Sequence, residues 1–417
     1  MQIQNLQKLL ICRNLLHDNI IQQLNDFLNH PAPEESSLYR LAGDLIEKAE
    51  SLHLSGNILR SYTLYLLLNE KNLAAKILES SPADPGKSLQ ELFYQDIDLL
   101  LPILNTNPDQ YLKLQILNEY SPHPQENSVL SRFIEEASQH TQNARALTDY
   151  LLAHYKTYGC GDLALYRAFR WQESANELIG IRHFEAISLD DLIGYQRQKD
   201  MLVENTVAFL AGKPANNVLL VGARGTGKSS SVKALANKYF ENGLRLLQLT
   251  KTQLTQLPQI MERLRLLSGK KFIIFLDDLS FEEYEVEYKY LKSAIEGGVE
   301  GRPENVLIYA TSNRRHLIKE TWKDRNDQQD ELYRNDSVNE TISLSDRFGV
   351  IINYLAPNQN EYLAIIEDRL RKAGIELGGE ELRILGHRWE ITHSGRSGRV
   401  AQQFVDHYLG TRITTEN

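Results

Sequence analysis

The sequence predicts an α/β core on a buried parallel sheet, preceded by an all-helical domain and followed by a small helical C-terminal domain. Three observations carry the core and the helical part before it. From about residue 171, short apolar or β-branched runs alternate with helix-length segments, as βαβ units with both sheet faces covered require. Upstream, apolar residues recur at three- and four-residue steps with no alternating pattern. And 417 residues exceed the ~100–200 that one ordinary core uses. The expected domains are 1–170, 171–356 and 357–417.

Composition sets the outer bounds. With 42% hydrophobic and 24% charged residues, 24 Gly and 12 Pro, the chain is neither disordered nor fibrous. Its longest apolar runs, such as Leu64–Leu68, fall far short of the ~18–20 residues of a membrane span. The apolar stretch Leu9–Cys12 is broken by Arg13 and does not read as a secretory signal. Cys12 and Cys160 make no disulfide framework or zinc site, which points to a reducing, cytoplasmic setting. Residues 1–180 hold 14 Lys and Arg against 22 Asp and Glu, and the remainder 32 against 33. Most of the net charge of −9 therefore sits in the helical part, which argues against phosphate-backbone binding there.

Within the first 170 residues, Leu38, Leu41, Leu45, Ala49 and Leu52 mark one amphipathic helix. A second is expected over Ile58–Glu79, stopped by Ser81-Pro82-Ala83-Asp84-Pro85-Gly86. Ser121-Pro122-His123-Pro124 separates Tyr111–Tyr120 from a third, Val129–Tyr155. Nothing here suggests chemistry, and a bundle for folding or partner docking is the plain reading. Further on, Asn217–Val221, Leu244–Leu249, Phe272–Leu276, Val306–Ala310 and Val350–Leu355 are the expected strands. Phe281–Tyr290, acidic and rich in Tyr, reads as a solvated helix with its rings partly packed. The polar stretch 319–340, dense in charge around Trp322, reads as a long insertion or partner-binding element.

Chemistry concentrates at the strand ends. Gly222-Ala223-Arg224-Gly225-Thr226-Gly227-Lys228-Ser229, continued by Ser230, is a full GxxxxGK[ST] match between a strand and a helix, the context that the motif demands. Its glycines let backbone N–H groups surround phosphate oxygens, Lys228 supplies charge to them, and the Ser229 hydroxyl is a Mg²⁺ ligand. Phe272–Leu276 ends in Asp277 and Asp278. Asp277 is the candidate for holding Mg²⁺, and Asp278 for polarising an attacking water. Val306–Ala310 leads into Thr311-Ser312-Asn313, where Asn313 can orient that water or meet a γ-phosphate. Taken alone, it is a strand-end turn residue. Leu344-Ser-Asp-Arg347-Phe-Gly349 and Gly395-Arg396-Ser-Gly-Arg399 add arginines, whose guanidinium groups can neutralise developing phosphate charge. Each alone is an ordinary surface residue.

In this order the motifs closely resemble Walker A, Walker B, sensor 1, arginine finger and sensor 2 of AAA+ ATPases, over about residues 183–412. Leu189-Asp-Asp-Leu-Ile193-Gly194-Tyr195 looks like the segment that packs on adenine before their Walker A. The wording is similar to an uncharacterised bacterial AAA+ family catalogued as a domain of unknown function. The resemblance implies an α/β P-loop NTPase core with a helical lid from about Pro357, ATP and Mg²⁺ as cofactors, and a homo-oligomer. Arg347 would then face the γ-phosphate of the next subunit, with Arg399 or Arg396 as sensor 2.

Two departures shape the expected activity. Most AAA+ enzymes have Glu where this chain has Asp278, one methylene shorter, so turnover is expected to be slow; Glu282 and Glu283 are substitutes a turn later. Leu247–Leu257 lacks the aromatic-hydrophobic-Gly loop of threading unfoldases, which disfavours polypeptide translocation. The reading is an ATPase that remodels or switches an unidentified protein partner. One alternative is an initiator- or loader-like ATPase on nucleic acid, suggested by Asp277-Asp278 and Arg314-Arg315 but unsupported by net charge. The other is a slow or non-hydrolysing nucleotide switch acting as an assembly scaffold.

Overall fold

The structure is a computed structural model that describes residues 6–29, 34–112, 114–124, 128–281, 285–297, 301–313, 317, 344–393 and 395–412. The chain forms two compact units. The first comprises Met1–Tyr166 with two short later segments, Glu241–Gly243 and Arg265–Lys270; the second holds the rest.

The first unit is helical. Glu35–Leu52 buries Leu38, Leu41, Leu45 and Ala49 on one face, as the spacing requires. The two longer helices expected after it are each broken. Ile58–Asn69 and Leu73–Ser80 are separate, because Asn72 caps the second by accepting from the Ala75 N–H at 2.9 Å. Val129–Ser138 and Ala144–Thr157 are divided likewise by Asn143, which caps the latter. Both caps were legible as Asn residues with side-chain acceptors for orphan amides. The downstream segments join this unit through buried groups. Lys270, 1% exposed, donates from Nζ to the carbonyls of Tyr155 and Lys156 at 2.6 and 2.5 Å. Gly269 lies so close to Leu78 that a Cβ would sit 2.1 Å from its carbonyl oxygen. Cys12 and Cys160 are free and buried, and burial pushes both thiols upward.

The second unit is an α/β fold built on one mostly parallel sheet. Its strands are β1 Ala168–Gln172, β2 Glu177–Gly180, β3 Val218–Gly222, β4 Leu244–Leu249, β5 Lys271–Leu276, β6 Val306–Ser312 and β7 Val350–Tyr354. They form one sheet in the order β2-β1-β4-β5-β6-β3-β7. All neighbours are parallel except β1 and β2. The five expected strands are present, and β5 and β6 are almost wholly buried, as continuous apolar runs in a covered sheet should be. β1 and β2 were not anticipated, and the boundary expected at 170 falls inside β1. Ala168, Phe169 and Arg170 pair with Leu246, Leu247 and Gln248, a partnership more than 70 residues distant that no local pattern announces.

Helices Gln196–Leu210 and Lys228–Lys238 flank the sheet. Among the described residues of the acidic segment, a helix runs over Glu287–Glu296; Phe281 lies before it, its ring 6.3 Å from that of the buried Tyr288. Glu282, Glu283, Arg314, Arg315 and the insertion 319–340 lie outside the described residues. Three further helices, Gln359–Lys372, Gly379–Thr392 and Gly398–Arg412, enclose a small core around Tyr362, Ile366, Leu370, Ala401 and Phe404. Among the described residues no helix is long and apolar enough to cross a membrane.

Candidate functional site

The carboxyl ends of β3, β5 and β6 meet at one place, where open α/β sheets bind ligands. β3 runs into the loop that ends at Lys228, the first residue of its helix. Gly222 has φ +145° and abuts β7 so tightly that a Cβ would lie 1.9 Å from the Tyr354 carbonyl oxygen. No side chain fits there. Gly222→Ala is therefore expected to displace the β3–β7 pairing, at a cost of about 2–4 kcal/mol. Thermal unfolding of the purified protein checks this, and an unchanged midpoint would contradict the contact.

Lys228 is 6% exposed. Its Nζ donates to the carbonyls of Gly222 and Ala223 at 2.8 and 2.7 Å, and to Asn313 Oδ1 at 3.0 Å. Burial pulls its pKa below the ordinary value, opposed by the charges of Asp278 and Asp277. Asn313 also reaches the other way, with Nδ2 donating to Asp278 Oδ1 at 2.5 Å. One amide thus links the loop lysine to the acidic strand end. A second chain runs beside it. Ser229 Oγ and Thr311 Oγ1 both donate to Asp277 Oδ1, at 2.5 and 2.6 Å. Thr311 Oγ1 accepts the Asp278 N–H at 2.9 Å. Asp278 has φ +52°, a left-handed conformation that Asp tolerates better than most residues. That turn separates the two carboxylates, one directed to Ser229 and one to Asn313.

The groups enclose a cleft of about 1200 Å³. Its walls include residues 224–230, both aspartates, Asn313, Thr311, Ile193 and Tyr195. The C-terminal helices close it with Ile365, Arg369, Lys372, Gly398, Arg399 and Gln402. Gly194, Gly222 and Ala223 are not on the wall; the last two act through carbonyls that hold Lys228. The lid meets the loop directly, because the Gly398 N–H donates to Gly225 O at 2.9 Å. A Cβ on Gly225, whose φ is +73°, would meet Ser397 Oγ at 2.8 Å. Of the two late arginines, Arg399 faces the cleft, whereas Arg396 donates from Nε to Glu390 Oε1 at 2.6 Å. Arg347 is not on this wall and forms an ion pair with Glu296.

Sequence reasoning assigned nothing to Arg369, Lys372, Gln402 or Thr311. Arg369 Nη1 donates to Gly398 O at 2.9 Å and Gln402 Oε1 at 2.6 Å, and burial lowers its pKa. Lys372 Nζ meets Asp191 at 2.8 Å. Thr311 had a signal, two residues before Asn313 at the end of a buried strand; the lid residues had none.

The residues present fit a nucleoside triphosphate with a divalent cation. A left-handed glycine loop opens onto a helix N-terminus beside a desolvated ammonium, which suits phosphate. The Ser229 hydroxyl and Asp277 carboxylate are adjacent hard oxygen donors, which suit Mg²⁺.

Residues 164–412 match the family model described as "Protein of unknown function (DUF815)". A structure of the Thermotoga maritima RuvB Holliday junction branch migration motor aligns at 16% identity and a TM-score of 0.39, covering 55% of this chain and 66% of that one. A point mutant of the same RuvB aligns at 15% and 0.34, covering 52% and 71%. The chain thus spans about two thirds of the RuvB chain of the first match. No curated protein matches it.

Proposed function

The chain belongs to the DUF815 family, whose function is unknown, and on that premise we propose that it is an ATPase acting through ATP and Mg²⁺. The reading places the nucleotide between the chain's own P-loop and Arg347 of a second copy. Hydrolysis would remodel or switch a macromolecular partner. The observation that carries it is the pair of hydrogen-bonded chains across three strand ends, Lys228–Asn313–Asp278 and Ser229–Asp277–Thr311.

Each residue has a distinct task in this reading. The loop amides and Lys228 bind phosphate oxygens. Ser229 and Asp277 hold Mg²⁺, which when bound supplies charge neutralisation at the phosphates. Thr311 fixes the Asp277 carboxylate and, through its contact with the Asp278 N–H, the turn between the two acids. Asp278 accepts the proton of an attacking water, and Asn313 keeps that carboxylate aimed. Ile193, Ile365 and Val405 shield the base from water, while Arg399 closes over the phosphates. The engagement of the short Asp278 side chain by Asn313 supports slow turnover.

Phosphate release from Mg²⁺ and ATP, followed over hours, tests the proposal. Wild-type protein is expected to release phosphate steadily, and Asp277→Asn to lose on the order of 10²-fold of that rate. Release no faster than the buffer blank, in protein that still binds ATP, would overturn hydrolysis and leave a binding switch.

A further inference from the structure

We infer that Tyr354 is a positioning residue for the P-loop, setting its phosphate-binding shape from the last residue of β7. This rests on the nucleotide-binding reading above. Two separate contacts support it, one at each end of the loop. At the start, the Tyr354 main chain is the surface against which Gly222 is pressed, in register with it across the β3–β7 pairing. Near the end, the Tyr354 hydroxyl donates to Ser231 Oγ at 2.9 Å. Ser231 Oγ donates in turn to the Gly227 carbonyl at 2.9 Å. Gly227 has φ +89° and caps the helix that begins at Lys228. A single side chain and its own backbone therefore span the loop from Gly222 to Gly227.

The tyrosine is itself held in place. It is 1% exposed, and its ring lies 5.0 Å from that of Tyr195. The Tyr195 hydroxyl donates to the carbonyl of the next residue, Leu355, at 2.7 Å. Burial pushes the Tyr354 hydroxyl up to about 12, so it remains a neutral donor throughout the working pH range. Without that donor, Ser231 keeps its bond to Gly227 but loses the anchor that fixes the hydroxyl's direction. The carbonyl of Gly227, and with it the loop amides, gains freedom that phosphate binding must then remove.

The competing role is a core hydroxyl that merely finds a partner, contributing modestly to stability and nothing to ligand affinity. Equilibrium binding of a fluorescent ATP analogue with Mg²⁺ to full-length Tyr354→Phe, Ser231→Ala and the double variant separates the two roles, with thermal unfolding in parallel. Tyr354→Phe is expected to weaken binding about three- to tenfold, the range of one neutral hydrogen bond. In the Ser231→Ala background it should weaken binding by less than about twofold more, because the donor already lacks its acceptor. A lowered melting temperature with affinity within about twofold of wild type would overturn the inference. So would an equal loss of affinity in both backgrounds. Lys228→Ala measured alongside keeps the two readings apart. If it binds like wild type, the nucleotide site itself falls; if it loses binding while Tyr354→Phe does not, only the positioning role falls.

Discussion

Lys228→Ala is expected to lose ATP affinity by at least about 100-fold, ~2.7 kcal/mol, while the protein stays folded. The amine is nearly buried, and its acceptors are two loop carbonyls and an amide oxygen, all uncharged. Its positive charge is thus held next to where phosphate would bind, in surroundings that weaken screening. Removing it is expected to cost little fold stability, because Lys228 itself lines the cleft and the space its side chain leaves lets water reach the freed carbonyls. Binding of a fluorescent ATP analogue and a thermal melt decide the matter together. Affinity within about threefold of wild type, under ~1 kcal/mol, would remove the P-loop assignment. A collapse of the melt would instead make the lysine a structural residue.

The second large effect concerns Arg347, and it tests assembly. Arg347 lies off the wall of its own chain's cleft and is paired with Glu296. If it serves a second copy, Arg347→Ala should keep ATP affinity nearly intact, since the chain's own loop supplies the binding. Hydrolysis should fall on the order of 10³-fold, the scale of an arginine finger. Mixing Arg347→Ala with Lys228→Ala protein should restore part of the activity, because a mixed interface can pair an intact loop with an intact arginine. A role confined to the Glu296 pair, both partners partly exposed, would be worth ~0–1 kcal/mol of stability. Turnover would then stay near normal, with no rescue. Near-normal turnover of the single variant, in a preparation that hydrolyses ATP, would sink the shared site.

The parts of this protein that could be read without coordinates are those whose cause is local. GxxxxGKS encodes its own geometry, since the glycines take left-handed angles and the following residues propagate a helix. β5 and β6 were visible because a strand covered on both faces must be apolar along its length, and their terminal Asp277, Asp278 and Asn313 stand out against that background. The helix breaks at Asn72 and Asn143 were equally local, and were missed only because apolar periodicity continues across them.

What the sequence by itself determined, then, is the identity of the five strands from β3 to β7 and the residues at their ends, because backbone propensity and burial act over a few neighbours. Only the tertiary structure decided which ends meet. The strand order sets β5 beside β6, which brings Thr311 to Asp277, and β3 between β6 and β7, which brings Lys228 to Asn313 and Tyr354 to Gly222. It also folds residues 265–270 into the helical unit and turns Arg369 and Gly398 toward the loop. Those contacts join positions from 34 to more than 170 residues apart. They depend on the closure of long loops paid back by shared burial, a cooperative property of the whole chain that leaves no signature in any one segment.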